Sequence, residues 1–567
     1  MTECEAYDLV VVGSGAAGMA AACTAAALGG TVLLVEHGER VGGTTAVSGG
    51  MVWIPANHKM LEAGIDDDLD RARTYLRSTV QGADTDPKLH AFLARGDEAI
   101  RFLETHTRLK LRPVLRYPDY YPDRPGSTPG GRVLEPVPFD GRELGADFAL
   151  LRDPLPEFLL FGGMMISRED LPILRRVTRS PAALWHAAKL AARYARQRVA
   201  AHRGTSLYLG NALAARLFKS LRDLRVELVT ATQVERLWLE DGRVAGVVLR
   251  HGGRDVTVQA RRGVVLATGG ISQHPALRQR YVPASAGTLS ATVDAGAPSS
   301  GAHLATAAGA QMSPPLRTLA FWVPASIGRR ADGSTAIFPH TVTDRAKPGL
   351  IAVNREGLRF VNEAVSYHEF VQAQLRDAER SIPAWLVCDR RFLWKYGLGR
   401  VRPFALSVTH ECRSGYLQRA GTLEELAQKI DVPAGPFVDT VHAFNVDARR
   451  GVDSAFARGS DIYQRHLGDA EQRPNPCVAP LVEPPFYAVA VYPADLGMAA
   501  GVMTDEHARV LRDDGSPIEG LYACGNDMHS VMNGAYPGPG ITLGPALVFG
   551  YLAASHACHR EPTLASS

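Results

Sequence analysis

The residues best placed to do chemistry stand near the C-terminus, in Tyr536-Pro537-Gly538-Pro539-Gly540. Ahead of them, Leu521-Tyr522-Ala523-Cys524-Gly525 has the pattern of a short buried strand ending in a tight turn. Behind them, the run from Ile541 through Ala546 to Phe549 has the pattern of a helix rich in small side chains. A helix N-terminus therefore falls after Gly540. Its backbone N–H groups and partial positive charge suit the carbonyl edge of a flavin, or an oxygen gaining negative charge on a substrate. A phenol and a bare glycine N–H four residues apart make two donors at that spot, a pair that can polarise a ketone.

Something must hold a redox group beside that pair, and the N-terminal stretch has the means. Tyr7–Val12 reads as a buried strand and runs into Gly13-Ser14-Gly15-Ala16-Ala17-Gly18. An alanine-rich helix to Leu28, a second strand from Thr31 to Val35 and the acid Glu36 follow. The glycines permit a tight turn, close approach of a pyrophosphate and close helix packing, and the acid can bind a ribose hydroxyl. Next come Gly42, Gly43, Thr44, Thr45, Ser48, Gly49 and Gly50. Hydroxyls between glycines can wrap a pyrophosphate and a flavin edge, which favours FAD over a nicotinamide; the alternative is a surface loop. This run contains no histidine, so FAD is expected to be bound non-covalently.

Strand patterns at Val226–Thr230, Val234–Leu239, Val244–Leu249 and Val256–Ala260, with Asp241-Gly242 and Gly252-Gly253 turns, make a small meander. It ends in a further buried strand, Gly263 to Ala267, entering the turn Thr268-Gly269-Gly270. The segment near Val234 is expected beside the adenine. The fold class is α/β: a discontinuous Rossmann-like FAD-binding domain over 1–285 and 485–567, with an α+β substrate or capping domain inserted at 286–484. The cleft between them is the expected ligand site. Lys88 to Thr105 reads as a helix, and Tyr117-Pro118-Asp119-Tyr120-Tyr121-Pro122 as a loop pinned by aromatic packing.

Composition sets broad limits. The 567 residues carry a net charge of +3, with 46% hydrophobic and 21% charged residues, as in an ordinary globular enzyme. The charge gives no reason to expect a nucleic-acid partner. Seven scattered cysteines form no CxxC pair and no metal-ligand spacing, so neither a disulfide framework nor a metal site is expected, and a reducing, cytoplasmic setting is. No signal peptide and no membrane-spanning run are expected. Within an apolar and basic insertion at 151–210, Leu155–Ile166 is strongly apolar. Ser180-Pro181 then opens a helix to about Ala201, mixing Leu184, Trp185 and Leu190 with Lys189, Arg193, Arg196 and Arg198. Two readings stay open: an amphipathic helix packed on its own core, slightly favoured, or peripheral contact of 151–203 with an anionic membrane surface.

Taken in order, Gly13 to Gly18, Gly42 to Gly50, Ala267 to Gly270, Val353-Asn354 to Asn362-Glu363 and Gly520 to Gly550 resemble the fumarate reductase and 3-ketosteroid dehydrogenase superfamily of flavoproteins, over nearly the whole chain. Tyr117-Pro-Asp-Tyr120, Tyr367 and Tyr536-Pro-Gly-Pro-Gly540 resemble the 3-ketosteroid Δ1-dehydrogenases. Fumarate reductases carry an arginine-bearing segment where this chain has Ala535-Tyr536-Pro537, and Δ4-(5α)-dehydrogenases have a serine in place of Gly538 and lack a clear partner for Tyr120. The resemblance implies that Tyr536 and Gly540 bind the C3 oxygen of a steroid, that Tyr367 removes the C2 proton with help from Tyr120, and that the C1 hydride passes to flavin N5, a step of bacterial-type steroid degradation. Gly525, Asn526, Thr542 and Leu543 are expected to contact FAD along with the residues above. With no second dinucleotide fingerprint, a quinone or other carrier is expected to reoxidise the flavin. The apolar insertion raises the expectation that sterol-derived ketones such as cholest-4-en-3-one are accepted. The rival readings are a flavin-dependent reductase or Δ4-(5α)-dehydrogenase of the same superfamily, and a non-catalytic flavin-binding protein at a membrane surface.

Overall fold

The computed structural model of the chain describes residues 4–293, 300–315, 318–330 and 332–559. The outermost limits of the expected domains, at 1 and 567, lie outside them. Its larger sheet has eight strands, with the ordered path 509–511, 517–523, 254–266, 4–12, 32–35 and 227–229. Strands 4–12, 32–35, 227–229, 254–266 and 517–523 pair parallel to one another in that sheet. Leu9 to Val12 and Val32 to Val35 are buried, as strands covered on both faces require. Helix Ala16–Ala27 packs on this sheet and against the C-terminal helix Leu543–His559. The two helices can approach closely because small side chains face each other: a Cβ on Gly550 would lie 2.5 Å from the Ala17 carbonyl oxygen.

The meander and the strand at Gly263 are one element. Arg254–Leu266 runs unbroken for 13 residues. It pairs antiparallel with 243–251 over its first half and parallel with Cys4–Val12 along most of its length. The sequence reads as two strands because Arg261-Arg262 bulge out of register between Tyr7 and Leu9.

A second, six-stranded antiparallel sheet orders 335–339, 320–329, 486–498, 384–388 and 350–353, with 418–420 pairing 486–498. A small three-stranded sheet, 52–53, 133–136 and 111–113, carries Trp53 at its edge. The insertion is tied to the second sheet: Arg330 grips Glu157 with two hydrogen bonds (2.8 and 3.1 Å), and Phe158 packs on Phe338 at 5.3 Å between centroids. The expected helix there is Pro181–Arg198, capped by Ser180, whose hydroxyl accepts the Ala183 N–H.

Candidate active site

Three phenols drawn from distant segments meet in the interior. The Tyr120 hydroxyl donates to Tyr367 (2.9 Å), which donates to Tyr536 (2.8 Å), across 247 and 169 residues of sequence. All three side chains are buried. The ring of Tyr367 stands edge-on to those of Tyr120 and Tyr536, which lie nearly parallel to each other at 5.5 Å. Tyr536 accepts from Tyr367, so its own proton remains available for an oxygen outside the chain.

Each phenol has a local reason to be there. Tyr120 lies on a loop docked onto the Tyr536 loop: its N–H donates to the Pro537 carbonyl (2.9 Å), which also accepts from the Tyr75 hydroxyl (2.6 Å). Asp119 fixes that loop, accepting from Trp53 Nε1 (2.9 Å), Arg132 Nη1 (2.8 Å) and Thr128 N (3.0 Å). Tyr367 is the first residue of helix Tyr367–Arg376, whose N-cap is Ser366; Glu369, one turn in, accepts from Tyr121 (2.7 Å) and ties the helix to the Tyr120 loop. Phe321 stands edge-on to Tyr536 at 5.5 Å, and His368 lies 5.5 Å from the same ring.

Gly540 takes φ +98°, and a Cβ there would lie 2.6 Å from the backbone of Met51, so only glycine fits. Its carbonyl accepts from Trp53 N (3.1 Å), and its N–H has no partner among the described residues. The helix that follows starts at Leu543, as the small-residue run requires. A Cβ on Gly538 would lie 2.6 Å from Trp53 Nε1. That atom is fixed by Asp119, so this chain has no room for the serine of the Δ4-type pattern.

Burial drives the three phenols upward in pKa. Tyr536 is pushed up to about 12 by burial, with its hydrogen bond from Tyr367 pulling the other way. Tyr367 and Tyr120 are driven well above the usual phenol value, first by burial and then by neighbouring phenols; the hydrogen bond from Tyr120 lowers Tyr367. Tyr367 thus needs added stabilisation of its negative form to act as a base.

Several of the expected cofactor residues follow the C-terminal ends of the parallel strands of the larger sheet: Gly13 after 4–12, Glu36 after 32–35, Thr268 after 254–266 and Gly525 after 517–523. Gly13, at φ +105°, turns the chain where a Cβ would lie 2.3 Å from the Ala267 carbonyl oxygen, bringing the first fingerprint against Thr268 and Gly269. Glu36 lies against the same turn, accepting from Ser14 N (2.9 Å), Ser14 Oγ (2.5 Å) and Gly38 N (2.8 Å). The Glu36 carbonyl accepts the Thr232 N–H, which carries the start of the strand with Val234 to the same place. Thr45 Oγ1 accepts from Ala16 N (2.9 Å), and Ser48 Oγ bonds the Thr45 carbonyl and Gly50 N, so those two hydroxyls shape the loop rather than standing free. Asp527 accepts from Thr268 N and Oγ1 and from Gly270 N (2.9 Å), joining the turn at 268–270 to Gly525 and Asn526. Thr542 and Leu543 head the C-terminal helix. These residues fit FAD. The outward faces of Gly49 and Gly269 meet no protein atom within 4 Å, as a lining against a bound group requires, and Glu36 and the N-terminus of helix Ala16–Ala27 stand ready for ribose and pyrophosphate.

Sequence reasoning missed the supports: Trp53, Asp119 and Arg132 under the Tyr120 loop, Ser14 on Glu36, Asp527, and Phe321. Asp119 alone carried a signal, standing between Tyr117 and Tyr120. No group of residues suited to a metal ion occurs among those described.

The fold and this site define an α/β flavoprotein of the FAD-binding class with a buried cluster of phenols. The FAD binding domain family matches residues 8–543. The chain is 38% identical over 564 residues to a 3-oxosteroid 1-dehydrogenase of Mycolicibacterium smegmatis, covering 97% of this chain and 96% of that one. It is 37% identical over 559 residues to a 4-oxocyclohex-2-ene-1-carboxylate 5-dehydrogenase of Sinomonas cyclohexanicum, covering 97% and 93%. Among solved structures, it superposes on a 3-ketosteroid Δ1-dehydrogenase of Sterolibacterium denitrificans in complex with 1,4-androstadiene-3,17-dione. There the TM-score is 0.90 and the identity 37%, over 98% of this chain and 99% of that one. The chain belongs to the 3-oxosteroid 1-dehydrogenase family of FAD-binding proteins.

Proposed function

We propose that the protein is an FAD-dependent 3-oxosteroid 1-dehydrogenase that converts a 3-keto-4-ene steroid to the 3-keto-1,4-diene. The observation that carries this reading is the buried chain Tyr120–Tyr367–Tyr536, with Gly540, whose N–H has no partner among the described residues, four residues after Tyr536. Tyr536 hydroxyl and Gly540 N–H hold the C3 oxygen and stabilise the negative charge it gains. Tyr367 removes the proton from C2, and Tyr120 shares the negative charge through its hydrogen bond. Bound FAD supplies the acceptor for the C1 hydride, so that one proton and one hydride leave and the C1–C2 double bond forms. Burial of the three phenols excludes water from the oxygen that becomes charged, which strengthens both donors.

The test is anaerobic mixing of the purified yellow protein with a 3-keto-4-ene steroid, with and without a C17 side chain, while following flavin absorbance. Bleaching with 1,4-diene as product is the expected result, and the rate ratio reports on sterol-derived ketones. Flavin that stays oxidised with every steroid, yet bleaches with a 4-oxocyclohexene carboxylate, would move the assignment to small ring ketones.

Reoxidation by a quinone or another carrier fits a chain with one dinucleotide fingerprint. The thiols of Cys23, Cys388, Cys412, Cys477, Cys524 and Cys558 are all free, which fits a reducing cytoplasmic setting. No helix among the described residues is long and apolar enough to cross a membrane. Peripheral contact through 151–203 is supported by Phe161, Leu184, Trp185 and Val199, exposed at 72%, 58%, 64% and 88%, beside exposed Lys189, Arg193 and Arg196. Co-sedimentation with vesicles containing phosphatidylglycerol, weakened by Leu184→Ser and Trp185→Ser and absent with neutral vesicles, is expected; equal recovery in both supernatants rejects it.

A further inference from the structure

The phenol that removes the proton sits where burial opposes its negative form, and among the described residues one hydrogen bond, from another buried phenol, relieves it directly. A buried positive charge bonds the segment that leads into it. Arg345 is 1% exposed, and its guanidinium donates only to carbonyl oxygens: His340 (2.8 Å), Thr341 (3.1 Å), Glu363 (2.9 Å) and Val365 (3.2 Å). The last two belong to the segment that leads straight into Tyr367, and the guanidinium lies 5.1 Å from the ring of Phe370, one turn along the same helix.

Of the other buried charges nearby, the acids beside Arg359 are paired, while Lys347, two residues on from Arg345, donates to the carbonyls of Leu467 and Gly468 (2.7 Å to the latter) and is lowered to about 7 by burial and then by Arg175. Glu363 accepts from Arg359 (2.8 and 2.7 Å) and Arg458 (3.0 Å), and Asp453 accepts from Arg359 (2.8 Å to each oxygen). Asp344, next in sequence to Arg345, bonds His340 Nδ1 (2.7 Å) and the N–H groups of Arg345 and Gly399, not a guanidinium. Around the phenols stand Tyr463, whose ring is 4.8 Å from Tyr120 and whose hydroxyl is buried without a partner, and Tyr117, with Arg168 across its ring at 5.4 Å. Asp461 lies within electrostatic reach of Tyr463, Glu369 bonds Tyr121, and His368 is held neutral by burial. Arg168 is 30% exposed and screened by water; Arg345 is not, and its charge acts on Tyr463 and Tyr120.

We propose that Arg345 is a positioning residue for the proton-abstracting phenol: its guanidinium fixes residues 363–365 ahead of Tyr367, and its positive charge, bonded to carbonyls alone, favours the phenolate shared by Tyr367 and Tyr120. Arginine suits this role because it stays protonated when buried and its planar fork can bond several carbonyls at once. The proposal rests on Tyr367 being the base, and Tyr367→Phe tests that separately: normal turnover in that variant removes the base and leaves nothing for Arg345 to assist.

The experiment is the pH profile of kcat for holoenzyme variants that keep FAD. The base works deprotonated, so the rate rises with pH through its apparent pKa. Arg345→Gln, which removes the charge, is expected to move that limb up by about one pH unit, a roughly tenfold loss on the rising limb. Arg345→Lys keeps the charge and is expected to leave the limb within a few tenths of a unit even where kcat falls. Asp344→Asn removes a negative charge beside Arg345 without touching its guanidinium, and is expected to shift the limb down. Loss of rate in Arg345→Gln with the limb unmoved would make Arg345 a structural residue and overturn the proposal. An unmoved or raised limb in Asp344→Asn would do the same where Arg345→Gln fails to fold, and so would failure of both variants to fold.

Discussion

At the scale of single residues, chemistry depends on which phenol keeps its proton. Tyr536 must donate, and its pKa near 12 keeps it protonated across the working range. Tyr367 must accept, so turnover is expected to climb with pH and to show no loss of its base on the alkaline side. Tyr367→Phe is expected to lower kcat by about a hundredfold to ten-thousandfold, and Tyr536→Phe by about a hundredfold to a thousandfold. Both should retain the flavin spectrum, because neither touches the glycine turns. Stopped-flow reduction of the bound flavin checks each; a rate near normal would remove that residue from the chemistry. The sequence named all three phenols through the family resemblance: Tyr120 and Tyr536 lie in motifs with proline or glycine neighbours, and Tyr367 follows Asn362-Glu363. It carried no sign that Tyr120 donates to Tyr367 and Tyr367 to Tyr536, because that order is set by contacts across more than a hundred residues.

At the scale of elements, the site is held by loops pinned to one another. The Tyr120 loop and the Tyr536 loop share the Pro537 carbonyl, and Trp53 fills the space beneath Gly538. Gly538→Ala would drive a Cβ to 2.6 Å from Trp53 Nε1, an atom that cannot withdraw without breaking its bond to Asp119. Overpacking of this kind costs about 1–3 kcal/mol. The expected outcome is a lower melting temperature together with reduced kcat, since the strain falls on the loop carrying Tyr536 and Gly540; an unchanged melt and rate would show that the loop yields freely. Helix limits were legible where caps are local: Ser180 with Pro181 stands where the sequence placed it, and the helix read from Lys88 begins one residue earlier, at Pro87, behind the cap Asp86. The long strand Arg254–Leu266 was not, because its continuity comes from pairing with Cys4–Val12 and not from its own pattern.

At the scale of the whole molecule, the phenols and their supports join the two sheets, and buried histidines make that assembly sensitive to acid. His368 is held neutral by burial, its pKa lowered to about 3, and its Nδ1 accepts the Trp322 N–H (3.2 Å). Burial, and then the charge of Lys88, lower His529 to about 3 as well. In the unfolded chain both titrate near 6.5, so below that pH the unfolded state binds protons that the folded state does not. Stability is therefore full above about pH 6.5 and falls as pH drops towards 3, by up to about 1.4 kcal/mol per pH unit for each group. Denaturant titrations from pH 7 to 5 measure this. A slope that His368→Gln leaves unchanged would show that this residue does not carry it.

By itself the sequence determined the parts whose rules are local: the glycine turn before helix Ala16–Ala27, the acid ending the second strand, the small-residue helix after Gly540, and the residue types able to polarise a ketone and remove a proton. The tertiary structure alone decided how those parts meet. Arg132 and Asp119 under the Tyr120 loop, Glu157 in the grip of Arg330, and Arg345 against the carbonyls of Glu363 and Val365 are ordinary charged residues in sequence, and their contacts arise from burial. A charge removed from water must find partners wherever the fold supplies them, and those partners come from segments that no local pattern connects.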